Sequence, residues 1–151
     1  MAADWTLLWD EDCGFCAATL SGVIALDRGA RVRTVPIQSA EGQELLASVP
    51  VQERLKSAHL VDPDGRVLSG GAATSTFLRL VPGGGSLAAL ADRVPSLPER
   101  GYRWVADHRV QLSRPIPMAW KDAARKRIAR RAERLAPYGP VQEVVTPGRR
   151  P

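Results

Sequence analysis

The chain has two cysteines, Cys13 and Cys16, separated by two residues and set directly behind a short apolar run and three acids. Nothing else in the sequence restricts the fold as much. Trp5-Thr6-Leu7-Leu8-Trp9 is an aromatic and aliphatic run halted by Asp10-Glu11-Asp12. A short apolar run stopped by turn-forming residues reads as a buried strand. Behind the acids, Phe15, Cys16, Leu20, Val23 and Ile24 recur at helical spacing and run out at Arg28-Gly29, a basic last turn with a glycine cap. Asp12 stands where an N-cap is expected, which places Cys13 in the first helical turn. The first unit is therefore predicted as strand, acidic turn and helix, with both sulfurs near the helix start.

The rest of the chain continues in alternation. Arg31 to Ile37 is β-branched enough for a second strand, with Pro36 at its end or on an edge. Ser39 can cap a short helix through about Ser48, ended by Pro50. Ala58–Val61 and Val67–Leu68 flank Asp62-Pro63-Asp64-Gly65-Arg66, a hairpin signal. Gly70-Gly71 opens a helix lined by Ala73, Thr76, Phe77 and Leu80. Ser86 is expected to cap another, with Leu87, Leu90, Ala91 and Val94 as its buried face. A further helix is predicted from about Pro98 to Leu112, burying Tyr102, Val105 and Ala106.

The predicted order β-α-β-α-β-β-α joins a parallel strand pair, made by crossovers, to a terminal antiparallel hairpin. This is the thioredoxin topology: an α/β fold with a four-stranded mixed sheet, helices on both faces and a Cys-x-x-Cys after the first strand. Residues 1–113 are read as that domain. Residues 114–136 are read as a stiff, extended, proline-rich connector, Arg114-Pro115-Ile116-Pro117, and a basic helix from Met118 to Ala136. Residues 137–151 hold four prolines and two glycines and are expected to be disordered.

Chemistry explains the cysteine pair better than stability does. Disulfide frameworks scatter several cysteines over a small secreted chain, and a bridge across two residues closes a loop too small to stabilise much. A thiolate at the start of a helix meets unpaired backbone N–H groups and the positive end of the dipole. Cys13 is expected to attack a substrate disulfide, and Cys16 to attack Cys13 and release the product. The three acids oppose the thiolate. One negative charge ~7 Å away costs it roughly 0.6 kcal/mol in water-like surroundings and about 2.4 at an effective dielectric of 20, against ~0.3–1 kcal/mol from the helix terminus. A modest depression of the Cys13 pKa and a reductase-like centre are therefore expected. Asp10, ending the strand three residues before Cys13, is a candidate base for the Cys16 proton; the alternative is that it orders the turn.

Net charge is +5, yet residues 1–120 carry 12 basic and 13 acidic side chains while residues 121–151 carry 9 and 3. A basic balance confined to one end argues against reading the whole chain as a nucleic-acid binder. The helix over residues 121–134 is expected to dock through Trp120, Ile128 and Leu135, with contact to an acidic partner or an anionic membrane surface as the second reading. Nucleic acid comes last. The uncharged stretch Cys13–Leu26, 14 residues, is shorter than the ~20 a membrane-spanning helix needs. Met1-Ala2-Ala3-Asp4-Trp5 shows no secretory pattern, so the cytosol is the expected compartment.

The segment Leu8-Trp9-Asp10-Glu11-Asp12-Cys13-Gly14-Phe15-Cys16 resembles the signature of the DCC family of thiol–disulfide oxidoreductases, named for an Asp-x-x-Cys-x-x-Cys motif. The resemblance extends to Pro36-Ile37-Gln38-Ser39, Asp64-Gly65, Gly70-Gly71-Ala72-Ala73 and Gly101-Tyr102 with Arg109, and so spans about residues 5–113. It implies a thioredoxin-like fold, dithiol exchange, and the motif roles for Asp10, Cys13 and Cys16. No cofactor is expected beyond the redox-active cysteine pair, with an external electron donor that the sequence does not name. Ordinary thioredoxins carry a proline facing the cysteines before the third strand; here that region reads Lys56-Ser57-Ala58-His59.

Rival readings are weaker. Zinc needs about four ligands, and the remaining soft candidates, His59 and His108, stand at a spacing no common zinc module uses. His59 is expected beside a strand and His108 at the surface. Gly83-Gly84-Gly85 follows no strand and precedes no Lys-Ser/Thr, so it is a loop rather than a phosphate cradle. The rival class is a non-enzymatic interaction module, with cysteines that sense redox state and a basic tail that finds the partner.

Overall fold

The computed structural model describes residues 5–80, 82–94 and 96–135, and the expected disordered tail at 137–151 lies outside them. Strand β1 (Trp5–Trp9) leads into helix α1 (Gly14–Leu26), then β2 (Val32–Pro36), the short helices α2 (Ala40–Leu45) and α3 (Val51–Arg54), and the hairpin β3 (His59–Val61) and β4 (Val67–Ser69). Four helices complete the fold: α4 (Gly70–Leu80), α5 (Gly85–Arg93), α6 (Ser96–Ser113) and α7 (Met118–Leu135). The sheet order is β2-β1-β3-β4. β1 pairs with β2 in parallel, Trp5 opposite Val32 and Trp9 opposite Pro36. It pairs with β3 antiparallel, Leu7 opposite Leu60. The mixed four-stranded sheet is as predicted.

Alternation along β1 sends its side chains to two different layers. Leu8 joins Val35, Ile37, Leu46 and Val61 under α2. Leu7 and Trp9 face the opposite layer, where α1, α4 and α7 lie. Gly71 lets α4 approach α6: a Cβ there would sit 2.6 Å from the Cα of Glu99. Glu99 in turn accepts the Gly71 N–H at 3.1 Å.

Helix α7 packs on α1. Ala124 and Ile128 lie in one buried cluster with Trp9, Ala17, Leu20 and Ile24. At the far end of α1, Asp27 is 3% exposed and accepts the N–H groups of Arg31 at 3.2 Å and Val32 at 3.0 Å. Arg131 of α7 completes it with an ion pair. Three basic residues of the 121–134 stretch thus touch the domain: Arg131 pairs with Asp27, Lys121 lies along Gly14, and Arg127, itself exposed, donates to Ser21 at 3.5 Å.

Several local expectations are corrected. Helix α5 is capped at Gly84 rather than Ser86 and buries Ala88, while Leu87, Leu90 and Val94 are 59%, 49% and 44% exposed. The small side chain is the buried one, on a helix that packs beside α4, and the larger ones turn outward. Trp120, expected to dock α7, is 71% exposed, because Ala124 and Ile128 make the contact. Arg114–Pro117 forms turns, with Arg114 N–H on Gln111 and Ile116 N–H on Ser113, rather than an extended connector. Helix α3, behind Pro50, was not anticipated.

Candidate active site

Between β1 and α1 the chain turns on Asp10. Its carbonyl accepts the Cys13 N–H at 3.2 Å and its Oδ1 accepts the Asp12 N–H at 3.1 Å. Gln38, just past β2, crosses to this turn: Nε2 donates to Asp10 Oδ1 at 2.7 Å and Oε1 accepts the Glu11 N–H at 3.3 Å. From α6, Arg109 stands 3.6 Å from Asp10 Oδ2 and donates to the Leu55 carbonyl at 3.0 Å. The Asp10 carboxylate, 15% exposed, is held by three separate parts of the chain.

The cap lies one residue later than expected. Cys13, not Asp12, is the N-cap of α1, with extended backbone (φ −83°, ψ 104°) and a sulfur that accepts the Cys16 N–H at 3.1 Å. Sulfur here takes the position that a serine or aspartate oxygen fills in ordinary caps, because the neighbouring acids are engaged elsewhere: Asp10 with Gln38 and Arg109, Asp12 with Gln38 Nε2 at 3.4 Å. Cys13 and Cys16 are joined by a disulfide with their Cα atoms 5.2 Å apart, and both are half-buried.

Two cations near this turn escape a local reading of the sequence. Arg109 arrives from α6. Lys121 arrives from α7, its Cδ and Cε lying 2.8 and 2.9 Å from where a Cβ of Gly14 would stand, so the bare glycine lets the lysine lie against the helix start without shifting. The three acids are therefore opposed by more than the helix terminus. The resemblance already contained Gln38 and Arg109, though no role attached to them; Lys121 carried no signal at all.

A cavity of about 600 Å³ opens between α1, α4 and α6 above the end of β1. Trp9, Phe15, Leu20, Phe77, Tyr102 and Val105 line much of it, and Cys16 and Asp10 stand in its wall. Lys56-Ser57-Ala58, the segment without the proline of ordinary thioredoxins, borders the same space. The Tyr102 hydroxyl accepts the Ala58 N–H at 2.6 Å, and burial pushes its pKa up, so it stays a neutral phenol.

The histidines take no part. His59 is 1% exposed in β3, and its Nε2 donates to the Arg54 carbonyl at 2.8 Å. That fixes the proton on Nε2 and leaves Nδ1 to accept from the Ser69 hydroxyl at 2.7 Å. Burial pushes its pKa down. His108 stacks on Trp104 with ring centres 4.6 Å apart.

A mixed sheet whose first strand feeds a helix carrying a Cys-x-x-Cys bridge at its N-terminus defines a thioredoxin-like dithiol centre. The family model for the DCC1-like thiol-disulfide oxidoreductases matches residues 7–115, and the chain belongs to that family. No curated protein and no solved structure matches the chain. Among the described residues no helix is long and apolar enough to cross a membrane.

Proposed function

We propose that the protein exchanges its Cys13–Cys16 dithiol with the disulfides of protein or small-molecule substrates, reduced in turn by an external thiol donor. The observation that carries this reading is the placement of the Cys13 sulfur at the N-cap of α1, within reach of the Cys16 N–H. In the reduced protein that N–H and the helix terminus favour the Cys13 thiolate. The thiolate attacks one substrate sulfur, forming a mixed disulfide and expelling the other sulfur as a thiolate. Cys16 then loses its proton and attacks the Cys13 sulfur. The Cys13–Cys16 bond forms, the second substrate sulfur leaves and takes a proton, and the substrate has gained two electrons.

Asp10 is assigned as the base for Cys16 because both side chains stand in the wall of one cavity. Its partners Gln38 and Arg109 position the carboxylate, which also closes the turn. The charged stretch 121–134 is a weaker partner surface, since Lys121, Arg127 and Arg131 face the domain.

Alkylation with mass readout across a series of glutathione buffers tests the reading, together with Cys13→Ser and Cys16→Ser. Both variants should lose disulfide reduction, and Cys16→Ser should accumulate mixed disulfides. Asp10→Asn should slow release from the mixed disulfide by about 100-fold and shift the pH profile of that step. Thiols that stay free at every poise would overturn the proposal. So would a partner that binds both cysteine variants unchanged and is lost only with residues 114–151, the behaviour of an interaction module.

A further inference from the structure

The cavity beside Cys16 bears on which disulfides enter, an inference that rests on the oxidoreductase reading above. We propose that it binds the uncharged, largely hydrocarbon body of a small disulfide substrate and delivers the substrate's sulfur pair to Cys13 at its edge. Cys16 is in the wall, and the sulfur bonded to it belongs to Cys13, which lies just outside the lining.

Size is the first argument. Interiors pack to crystal-like density with few voids larger than a water molecule, whereas this space is about 600 Å³, within the range of sites that take a drug-sized ligand. The second is the character of the wall, built from Trp9, Phe15, Leu20, Phe77 and Val105. Trp9 and Leu20 form its buried floor, while Phe15, Phe77 and Val105 stay partly exposed in the empty site, and a filled site recovers that burial.

The same wall argues against a polypeptide. Every peptide residue carries a donor and an acceptor that must find partners. The cavity lies over a sheet face rather than along an open strand edge, so it presents no row of backbone groups to supply them. The two cations of the cavity lining also select no anionic head group, because Arg109 faces Asp10 and Lys56 is paired with Glu53 at 2.7 Å.

The chemistry is that of the proposed cycle. Cys13 thiolate attacks one sulfur of R–S–S–R, giving Cys13–S–S–R and R–S⁻. Cys16 thiolate then forms the internal disulfide and releases the second R–S⁻, and both leaving sulfurs take up protons. Two electrons pass from the dithiol to the substrate.

The test is the kcat/KM for reduction of a homologous series of dialkyl disulfides, from dipropyl to dihexyl, with bis(2-hydroxyethyl) disulfide as the polar reference. Each methylene that enters the cavity should raise kcat/KM about fourfold, the equivalent of ~0.8 kcal/mol per buried CH₂. Gly101 lies in α6 at the cavity wall, and a Cβ there meets nothing within 4 Å. Gly101→Phe, or Gly101→Leu as a milder filler, should therefore flatten the series. Gly22→Phe is the control: its Cβ also meets nothing, but on α1 outside the cavity lining, and the series should keep its slope. A flat series in an enzyme that still reduces the polar reference overturns this proposal alone, as does a slope that survives both Gly101 variants or a marked preference for protein disulfides over the whole series. Failure to reduce any disulfide overturns the oxidoreductase reading and this one with it.

Discussion

Helix α1 has one flank filled and the other hollow. Against α7 it is packed solid: Ala17, Leu20 and Ile24 meet Ala124 and Ile128, and Asp27 is locked by Arg131. Towards α4 and α6, the side chains of Phe15, Cys16 and Thr19 look into a cavity of about 600 Å³. The contrast separates two duties. A dithiol must be held to a fraction of an ångström and also leave room for what it reduces. Here the backing supplies the rigidity and the hollow side supplies the room.

Stability should therefore respond unequally to changes on the two flanks. Asp27→Ala takes the carboxylate from the Arg131 cation, which keeps only the residue-27 carbonyl, and leaves two backbone N–H groups without their acceptor, and should cost about 3–5 kcal/mol in urea unfolding. Ile128→Ala opens a new cavity inside a buried cluster and should cost about 2–4 kcal/mol. Val105→Ala only enlarges a space already present, and should cost under about 1 kcal/mol. Equal losses at Ile128 and Val105 would erase the distinction. Truncation after Ser113 removes Ala124, Ile128 and Arg131 together, and should lower Tm more than any single change.

What the sequence disclosed follows the range of the interactions involved. The strand at Trp5–Trp9, the helix behind the acids and the hairpin at Asp62–Arg66 rest on neighbouring residues, and periodicity or turn chemistry exposes them. The cysteine pair is legible for the same reason. Asp27–Arg131 and Gly14–Lys121 join residues about a hundred positions apart, and neither member carries a local mark. Charge counting does not single out the basic residues of α7 that reach α1: Lys126, Arg130 and Arg134 are exposed, while Arg131 pairs with Asp27 and Arg127 donates to Ser21. Leu87 and Leu90 failed for the opposite reason. Their spacing is correct for a buried face, but α5 buries Ala88 instead, and amphipathicity alone does not say which stripe finds a neighbour.

A smaller effect concerns the sheet face away from the cavity-lining helices. His59 is neutral in the fold because burial pushes its pKa down, while the unfolded chain takes up a proton near the ordinary value of 6.5. Below that pH the unfolded state binds the extra proton, so stability is intact above about pH 6.5 and falls as the pH drops toward the lowered folded value. One proton limits the slope to about 1.4 kcal/mol per pH unit. The difference between wild type and His59→Asn in urea midpoint, measured from pH 7.5 to 5, isolates this contribution from the carboxylates. A parallel pair of curves would remove His59 as its source.

The smallest predicted effect asks whether the filled flank reaches the chemistry on the hollow one. Lys121 belongs to α7, yet its chain lies across Gly14, the residue next to Cys13. Three acids precede that cysteine, and the helix terminus alone offsets them only in part. At a separation of ~7 Å and effective dielectrics between 80 and 20, one positive charge favours a thiolate by roughly 0.6–2.4 kcal/mol. Solvent screening puts the realised value toward the lower end, since Lys121 is partly exposed. Lys121→Gln should raise the Cys13 thiol pKa by about 0.5–1 and slow alkylation below pH 8 in proportion to the thiolate lost. Raising the ionic strength should shrink the difference between the two proteins, because the interaction crosses a solvent-accessible gap. Lys121→Arg keeps the charge and should restore the wild-type titration, which a purely steric role for the side chain would not predict. If Gln and Arg titrate alike, α7 supports the site by packing alone, and the two flanks of α1 are chemically independent.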